Sequence, residues 1–245
     1  MPELPAPLPP GERTVGQLVG ETIRRYGERF WRALPLGVPL AVSTQISLGH
    51  SANVQTVVLL AFTPLIAAAF VYACTLVHSV RPTAVAYLCA MLVFAPVPIL
   101  VRVFVLPGVA WLALFGLAVP AAMVERLRFR AALERGRRLA GADYVHALGS
   151  LCALVVVVGV SELTLIALLR SQGDNGQRVA HLLADLVLSP LLYLGGAILY
   201  LDQVARVGSR RPKSRRTTQG RRRDADLHPP LDADAARGSD PQVES

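Results

Sequence analysis

The chain has 245 residues, of which 53% are hydrophobic and 17% charged, with a mean hydropathy of +0.44 and a formal net charge of +8. Soluble domains carry about a quarter of their residues as charge, so this composition excludes an ordinary water-soluble domain and points to a polytopic membrane protein. The basic residues, all arginine except Lys213, flank apolar runs, which favours anionic lipid headgroups over nucleic acid as their partner.

Residues 1–32 read as a Pro-rich leader followed by an interfacial helix. The opening "MPELPAPLPPGERTV" lacks a basic n-region and an apolar h-region, so no cleavable signal peptide is expected. From Thr14 the pattern turns helical. Val15, Leu18, Val19, Ile23, Tyr26, Phe30, Ala33 and Leu34 recur on one face, while Glu21, Arg24, Arg25, Glu28 and Arg29 take the other. Thr14 followed by Gln17 is a capping-box pattern. This is the signature of an amphipathic helix lying in the plane of the membrane surface.

Residues 33–124 hold the first four of six expected spans, at 33–48, 54–77, 84–101 and 104–124. A bilayer core about 30 Å thick takes roughly 20 apolar residues of helix. The first candidate is short and carries Ser43, Thr44, Gln45 and Ser47. The third and fourth share one run, interrupted only by Arg102 and the turn-like Leu106-Pro107-Gly108, so a hairpin is expected there. Residues 125–143 form the second in-plane helix, rich in arginine, with Arg130/Glu134 and Glu134/Arg138 at ion-pair spacing. Residues 144–205 supply the last two spans, 144–169 and 179–201. Pro35, Pro39, Pro64, Pro96, Pro98, Pro120 and Pro190 predict kinks, tolerated where neighbouring helices re-satisfy freed carbonyls. Gly195 and Gly196 permit close helix packing. Cys74, Cys89 and Cys152 lie in apolar runs without metal-ligand spacing and read as packing residues. Residues 206–245 form a tail, basic and then acidic, expected to be disordered.

The two surface helices share a pattern. Glu21-x-x-Arg24-Arg25 and Glu134-x-x-Arg137-Arg138 each lead through aromatic residues to an Ala-Leu that opens a span. The returning helices carry Thr63-Pro64-Leu65 and Ser189-Pro190-Leu191. A duplication of surface helix plus hairpin accounts for this, and so does convergence on one interfacial design.

Orientation follows from charge. With six spans both ends lie on one side, which then holds 22 of the 25 basic residues and leaves Arg102, Arg170 and Arg178 opposite. That asymmetry makes the basic side cytoplasmic. Arg24, Arg25, Arg29, Arg126, Arg130, Arg137 and Arg138 are the candidate lipid-headgroup contacts. Intramembrane charge is the other lead, because it is costly to bury. Glu162 and Asp185 fall inside the fifth and sixth spans, both about 10 Å below the outer surface at 1.5 Å per residue. His181 stands one turn from Asp185, and Arg102 lies at the outer turn. Arg102, Glu162, His181 and Asp185 are therefore a candidate polar cluster, either a structural neutralising set or a proton- or ion-coupled site.

The stretches "TVGQLVGETIRRYGERFWRALP", "LAVPAAMVERLRFRAALERGRRLAGADYVHAL" and "LSPLLYLGGAILYLDQ" resemble the six-span membrane domain found beside some bacterial glycerophosphodiester phosphodiesterases, and related stand-alone bacterial membrane proteins of unknown function. Pro120, Glu125 and the Ala131–Arg138 helix fit that pattern, whereas Gly136 stands where the family commonly has Ser. The resemblance implies fold and a bacterial cytoplasmic (inner) membrane, not an activity. No stretch of these 245 residues is expected to form the phosphodiesterase barrel, and His50, His78, His146, His181 and His228 are scattered. The expectation is therefore an all-α polytopic membrane helix bundle of about six spans and two in-plane helices. It is expected to be no enzyme, without cofactor or metal, its partners the anionic bilayer and either a second copy or another membrane protein. Its role is read as an envelope or lipid-associated scaffold, the alternative being a small proton- or ion-coupled transporter.

Overall fold

Long uncharged runs have only one way to satisfy their backbone in lipid without closing a barrel, and that is to become helices. The computed structural model of the chain describes residues 9–210, and among them it is helical without strands. In chain order the helices are α1 (Val15–Glu28), α2 (Phe30–Ala33), a 3-10 turn (Leu34–Gly37), α3 (Val38–Ser47), α4 (Ala52–His78), α5 (Ala84–Phe94), α6 (Val97–Val103), α7 (Val105–Phe115), α8 (Ala118–Val124), α9 (Phe129–Ala142), α10 (Tyr144–Leu169), a second 3-10 turn (Arg170–Gln172) and α11 (Gly173–Arg210). Five stretches are long and apolar enough to cross a membrane: Ala52–His78, Ala84–Val103, Val105–Val124, Tyr144–Gln172 and Asn175–Gly208. The chain is a multi-pass membrane protein built as an all-α bundle.

The first expected span is corrected. Residues 33–48 do not form a membrane-length helix. They divide among the end of α2, the 3-10 turn and the ten-residue α3. Pro35 and Pro39 remove backbone donors, and Pro at the head of a helix begins a new one more readily than it continues an old one. The segment nonetheless runs the depth of the bundle. At one end Arg29 donates to the carbonyl of Leu76. At the other, Gln45 Nε2 donates to the carbonyl of Arg178 at 2.9 Å. His78 and Tyr200 stack edge-on at 5.5 Å, which sets the end of α4 beside the end of α11. Arg178 lies 22 residues earlier in α11, about 33 Å away at 1.5 Å per residue. A broken segment thus makes the sixth traverse.

Glycine lets that broken segment sit close. A Cβ built on Gly37 would stand 2.6 Å from the Asp185 carbonyl oxygen and 2.7 Å from Leu186 Cα, and it would also strike the Leu186 carbonyl oxygen. Proline at 190 leaves the Leu186 carbonyl without its helical donor, and Gly37 packs against that exposed backbone. Gly136 does the same for α9: a Cβ there would lie 2.7 Å from Ala118 Cα and 2.5 Å from its nitrogen. Any side chain at this position would clash with the α8 backbone. Gly195 and Gly196 meet Leu154 of α10 and Phe70 of α4, the close approach expected of that pair.

The two hairpin helices with internal proline share a further detail. Thr63 donates to the Leu59 carbonyl at 3.1 Å, and Ser189 to the Asp185 carbonyl, each hydroxyl preceding its proline and reaching one turn back. The expected run 84–124 is a hairpin with its turn at Phe104, and each arm breaks in the middle, at Ala95-Pro96 and at Gly116-Leu117. The core lies between α4, α5, α8 and α11, on Phe70, Cys74, Cys89, Val119, Met123 and Leu194. Cys74 and Cys89 are buried free thiols there.

Candidate functional site

Two charged regions occupy opposite ends of the bundle. At the end away from α1 and α9, α10 and α11 run antiparallel through the Arg170–Gln172 turn, which brings Glu162 and His181 to one level. Glu162 Oε1 lies 3.1 Å from His181 Nδ1. Asp185 follows one turn later, 9% exposed, with the Thr44 side chain of α3 facing it and its Oδ2 buried without a hydrogen-bond partner. Arg102 does not join them. Its Nη2 donates to Asn53 Oδ1 at 3.0 Å, across the α4–α6 boundary. The expected four-residue cluster is therefore a Glu162–His181 pair with Asp185 beside it, and Arg102 elsewhere. The physical reason is that the turn at Phe104 delivers Arg102 to the start of α4, not to the α10–α11 hairpin.

At the other end, α1 begins with the expected capping box. The Gln17 backbone donates to Thr14 Oγ1 at 3.4 Å, and the Thr14 backbone donates to Gln17 Oε1 at 2.9 Å. α1 buries Leu18, Glu21, Thr22 and Tyr26 and packs on α10, while Ile23 and Trp31 stay exposed, Trp31 at 80%. The arginines of α1 are held by acids on the same helix. Glu21 accepts from Arg24 at 2.8 Å and from Arg25 at 2.9 Å, and Arg24 also reaches Glu28 at 2.9 Å. Burial pushes the Glu21 carboxyl up, but the hydrogen bonds and charges of Arg24 and Arg25 outweigh it and hold it below the usual carboxylate range. Arg24, Arg25, Glu28 and Arg29 line a pocket of about 270 Å³ whose remaining wall is Leu76, Val77 and Leu194. Three of the expected headgroup arginines thus converge on one pocket. The other four, Arg126, Arg130, Arg137 and Arg138, are exposed on and just before α9. Arg138 pairs with Glu134 at 3.6 Å, and Arg126 takes a left-handed backbone (φ 50°) where α8 hands over to α9.

One network at this end escaped the sequence reading. Asp202, fully buried, accepts from the Gly11 backbone at 2.9 Å and from Arg206 Nε at 2.9 Å, and lies 2.9 Å from His146 Nε2. Arg206 also pairs with Asp143 at 3.1 Å and donates to the Arg13 carbonyl at 2.6 Å. Asp143 in turn caps α10 by accepting from the His146 backbone at 3.3 Å. Arg206 is therefore a structural part of α11, not the head of a disordered tail. The rest of that tail, from residue 211, lies outside the described residues, as does the leader before residue 9. A second link ties α9 to α11: Arg135 holds Glu125 at 2.9 Å, and Tyr200 donates to the same carboxylate at 2.9 Å. A signal for the Asp202 network existed in the i,i+3 and i,i+4 spacings of Asp143/His146 and Asp202/Arg206. Their partner in the N-terminal segment has no local signature.

Comparison with protein-family models, with curated proteins and with solved structures finds nothing that matches the chain.

Proposed function

We propose that this is a non-enzymatic integral protein of a bacterial cytoplasmic (inner) membrane, with both termini cytoplasmic, that holds anionic lipid headgroups at its basic end in an envelope or lipid-associated scaffold role. The pocket of Arg24, Arg25 and Arg29 carries the reading. Guanidinium groups match phosphate oxygens in geometry and charge. Glu21 and Glu28 offset part of that charge, leaving the pocket net positive. Leu76, Val77 and Leu194 give it an apolar wall on the side of the spans, the amphiphilic lining a lipid requires. The excess of arginine at this end supports its cytoplasmic placement by the positive-inside rule. The transporter reading loses its cation, because Arg102 bonds Asn53 and stands apart from Glu162, His181 and Asp185.

Native mass spectrometry of protein purified in neutral detergent tests this. The wild type retains phosphatidylglycerol in preference to phosphatidylcholine. An Arg24→Gln, Arg29→Gln variant keeps the Arg25–Glu21 bond that the fold uses. At about 1 kcal/mol per interfacial arginine it should lose about 30-fold in anionic preference. Equal retention by variant and wild type refutes the proposal.

A further inference from the structure

Between α4, α6, α7, α10 and α11 lies a partly open cleft of about 350 Å³, separate from the arginine pocket. Its lining is apolar almost throughout, from Leu59 to Phe70 on α4 and from Ser189 to Leu199 on α11. The eleven steps from Leu59 to Phe70 on α4, at 1.5 Å each, rise about 16 Å. The α11 wall carries the cleft further, to Leu199 beside the Tyr200 that stacks on His78. The two broken hairpin arms make the room. α6 begins after Pro96 and α7 ends at Gly116, and Val97 and Gly116 line the cleft. Gly108 packs directly on Val101, where a Cβ would come within 2.6 Å of the Val101 side chain. Those two residues line the cleft near its end.

The cleft has a direction. At the Phe104 turn its walls are open, with Val101 41% and Val105 47% exposed. Towards the basic end Leu117 and Leu199, which pack with Leu18 of α1 and Leu139 of α9, close it. Arg102 follows Val101 in the chain and reaches from α6 to Asn53 at the start of α4, beside this open end. Unlike Arg24, Arg25, Arg135 and Arg138, which face carboxylates, Arg102 has a neutral hydrogen-bond partner, Asn53, so its charge is not offset there. A long apolar slot with an uncompensated cation beside its open end has the shape and charge of a single lipid site. We infer that the cleft takes one acyl chain of an anionic phospholipid from the leaflet at the Arg102 end, with the lipid phosphate on the Arg102 guanidinium.

The test uses the full chain in phosphatidylcholine vesicles doped with a phosphatidylglycerol that carries a photoactivatable diazirine on one acyl chain. Cross-links should concentrate on cleft residues such as Leu112, Val155 and Leu192 over the bilayer-facing Val156, Val160 and Leu163 of α10. Arg102→Gln, at an exposed position, should lower labelling by the phosphatidylglycerol probe about fivefold, while leaving labelling by the matching phosphatidylcholine probe unchanged. Val155→Trp should fill the slot and remove cleft labelling with either probe, with unfolding in detergent confirming that the variant is folded. Labelling spread evenly over bilayer-facing residues overturns the inference. So does an Arg102→Gln variant that keeps the wild-type anionic preference. The arginine pocket lies at the other end of the bundle, so its Arg24→Gln, Arg29→Gln variant should label the cleft like wild type.

Discussion

Replacing Gly37 by alanine adds one methyl group where the structure has backbone. The added Cβ would sit 2.6 Å from the Asp185 carbonyl oxygen and 2.7 Å from Leu186 Cα, well inside van der Waals contact, and would strike the Leu186 oxygen. No flexible side chain can move aside. Either the 3-10 turn or the proline-kinked part of α11 must shift, and overpacking of that kind costs about 1–3 kcal/mol. A loss of 1.4 kcal/mol is tenfold in an equilibrium constant, so the folded-to-unfolded ratio of Gly37→Ala should fall by roughly five- to 150-fold. Unfolding of the purified protein in dodecyl maltoside, followed by loss of helical circular dichroism against added sodium dodecyl sulfate, reads the difference. Gly20→Ala on α1, where a Cβ meets nothing within 4 Å, is the control. It should be neutral or slightly stabilising through helix propensity. If Gly37→Ala matches the wild type, the broken segment does not pack on the α11 kink and the sixth traverse as described is wrong.

Other consequences concern the basic end. Asp202→Ala removes the buried acceptor shared by Gly11, Arg206 and His146, and breaking one member of a buried ion pair costs about 3–5 kcal/mol. The same unfolding assay should show that loss, together with faster proteolysis before Arg13; an unperturbed midpoint would mean the N-terminal segment is not fastened there. The Glu21 carboxyl is held below its unfolded value of about 4.3. A depressed carboxylate contributes stability above the unfolded pKa, and this is lost as pH falls through the folded one. The stability gap between wild type and Glu21→Gln should therefore be full at pH 7 and close as the pH drops below about 4; a gap constant from pH 7 to pH 3 would refute the ion-paired assignment.

Hydropathy made the five long helices readable because twenty apolar residues in a row have few other fates. The span expected at 54–77 is observed as Ala52–His78, and that at 144–169 as Tyr144–Gln172. Pro35 and Pro39 predict kinks in the short span expected at 33–48; with Gly37 they instead break it into a 3-10 turn and a ten-residue helix, because composition averages over breakers that backbone geometry cannot ignore. The Glu162–His181 contact was legible, since a tight hairpin fixes which residues of adjoining helices share a level. Arg102 was not, because its partner Asn53 is 49 residues away and its choice depends on where the Phe104 turn lands. Asp202 escaped for the same reason more strongly, bonding Gly11 across 191 residues. Spacing rules reveal partners within a helix and say nothing about which termini a fold brings together.

In the proposed topology the chain crosses a membrane with its arginine-rich end in the cytoplasm, and single cysteines in a Cys74, Cys89, Cys152-free background read that orientation. Ser51 precedes α4 and Asn175 opens α11 at one end of the bundle, while Gly141 closes α9 at the other. In intact cells treated with an impermeant maleimide, Ser51→Cys and Asn175→Cys should label, and Gly141→Cys should label only after the membrane is opened. Labelling of Gly141→Cys in intact cells, with Ser51→Cys protected, would contradict the account.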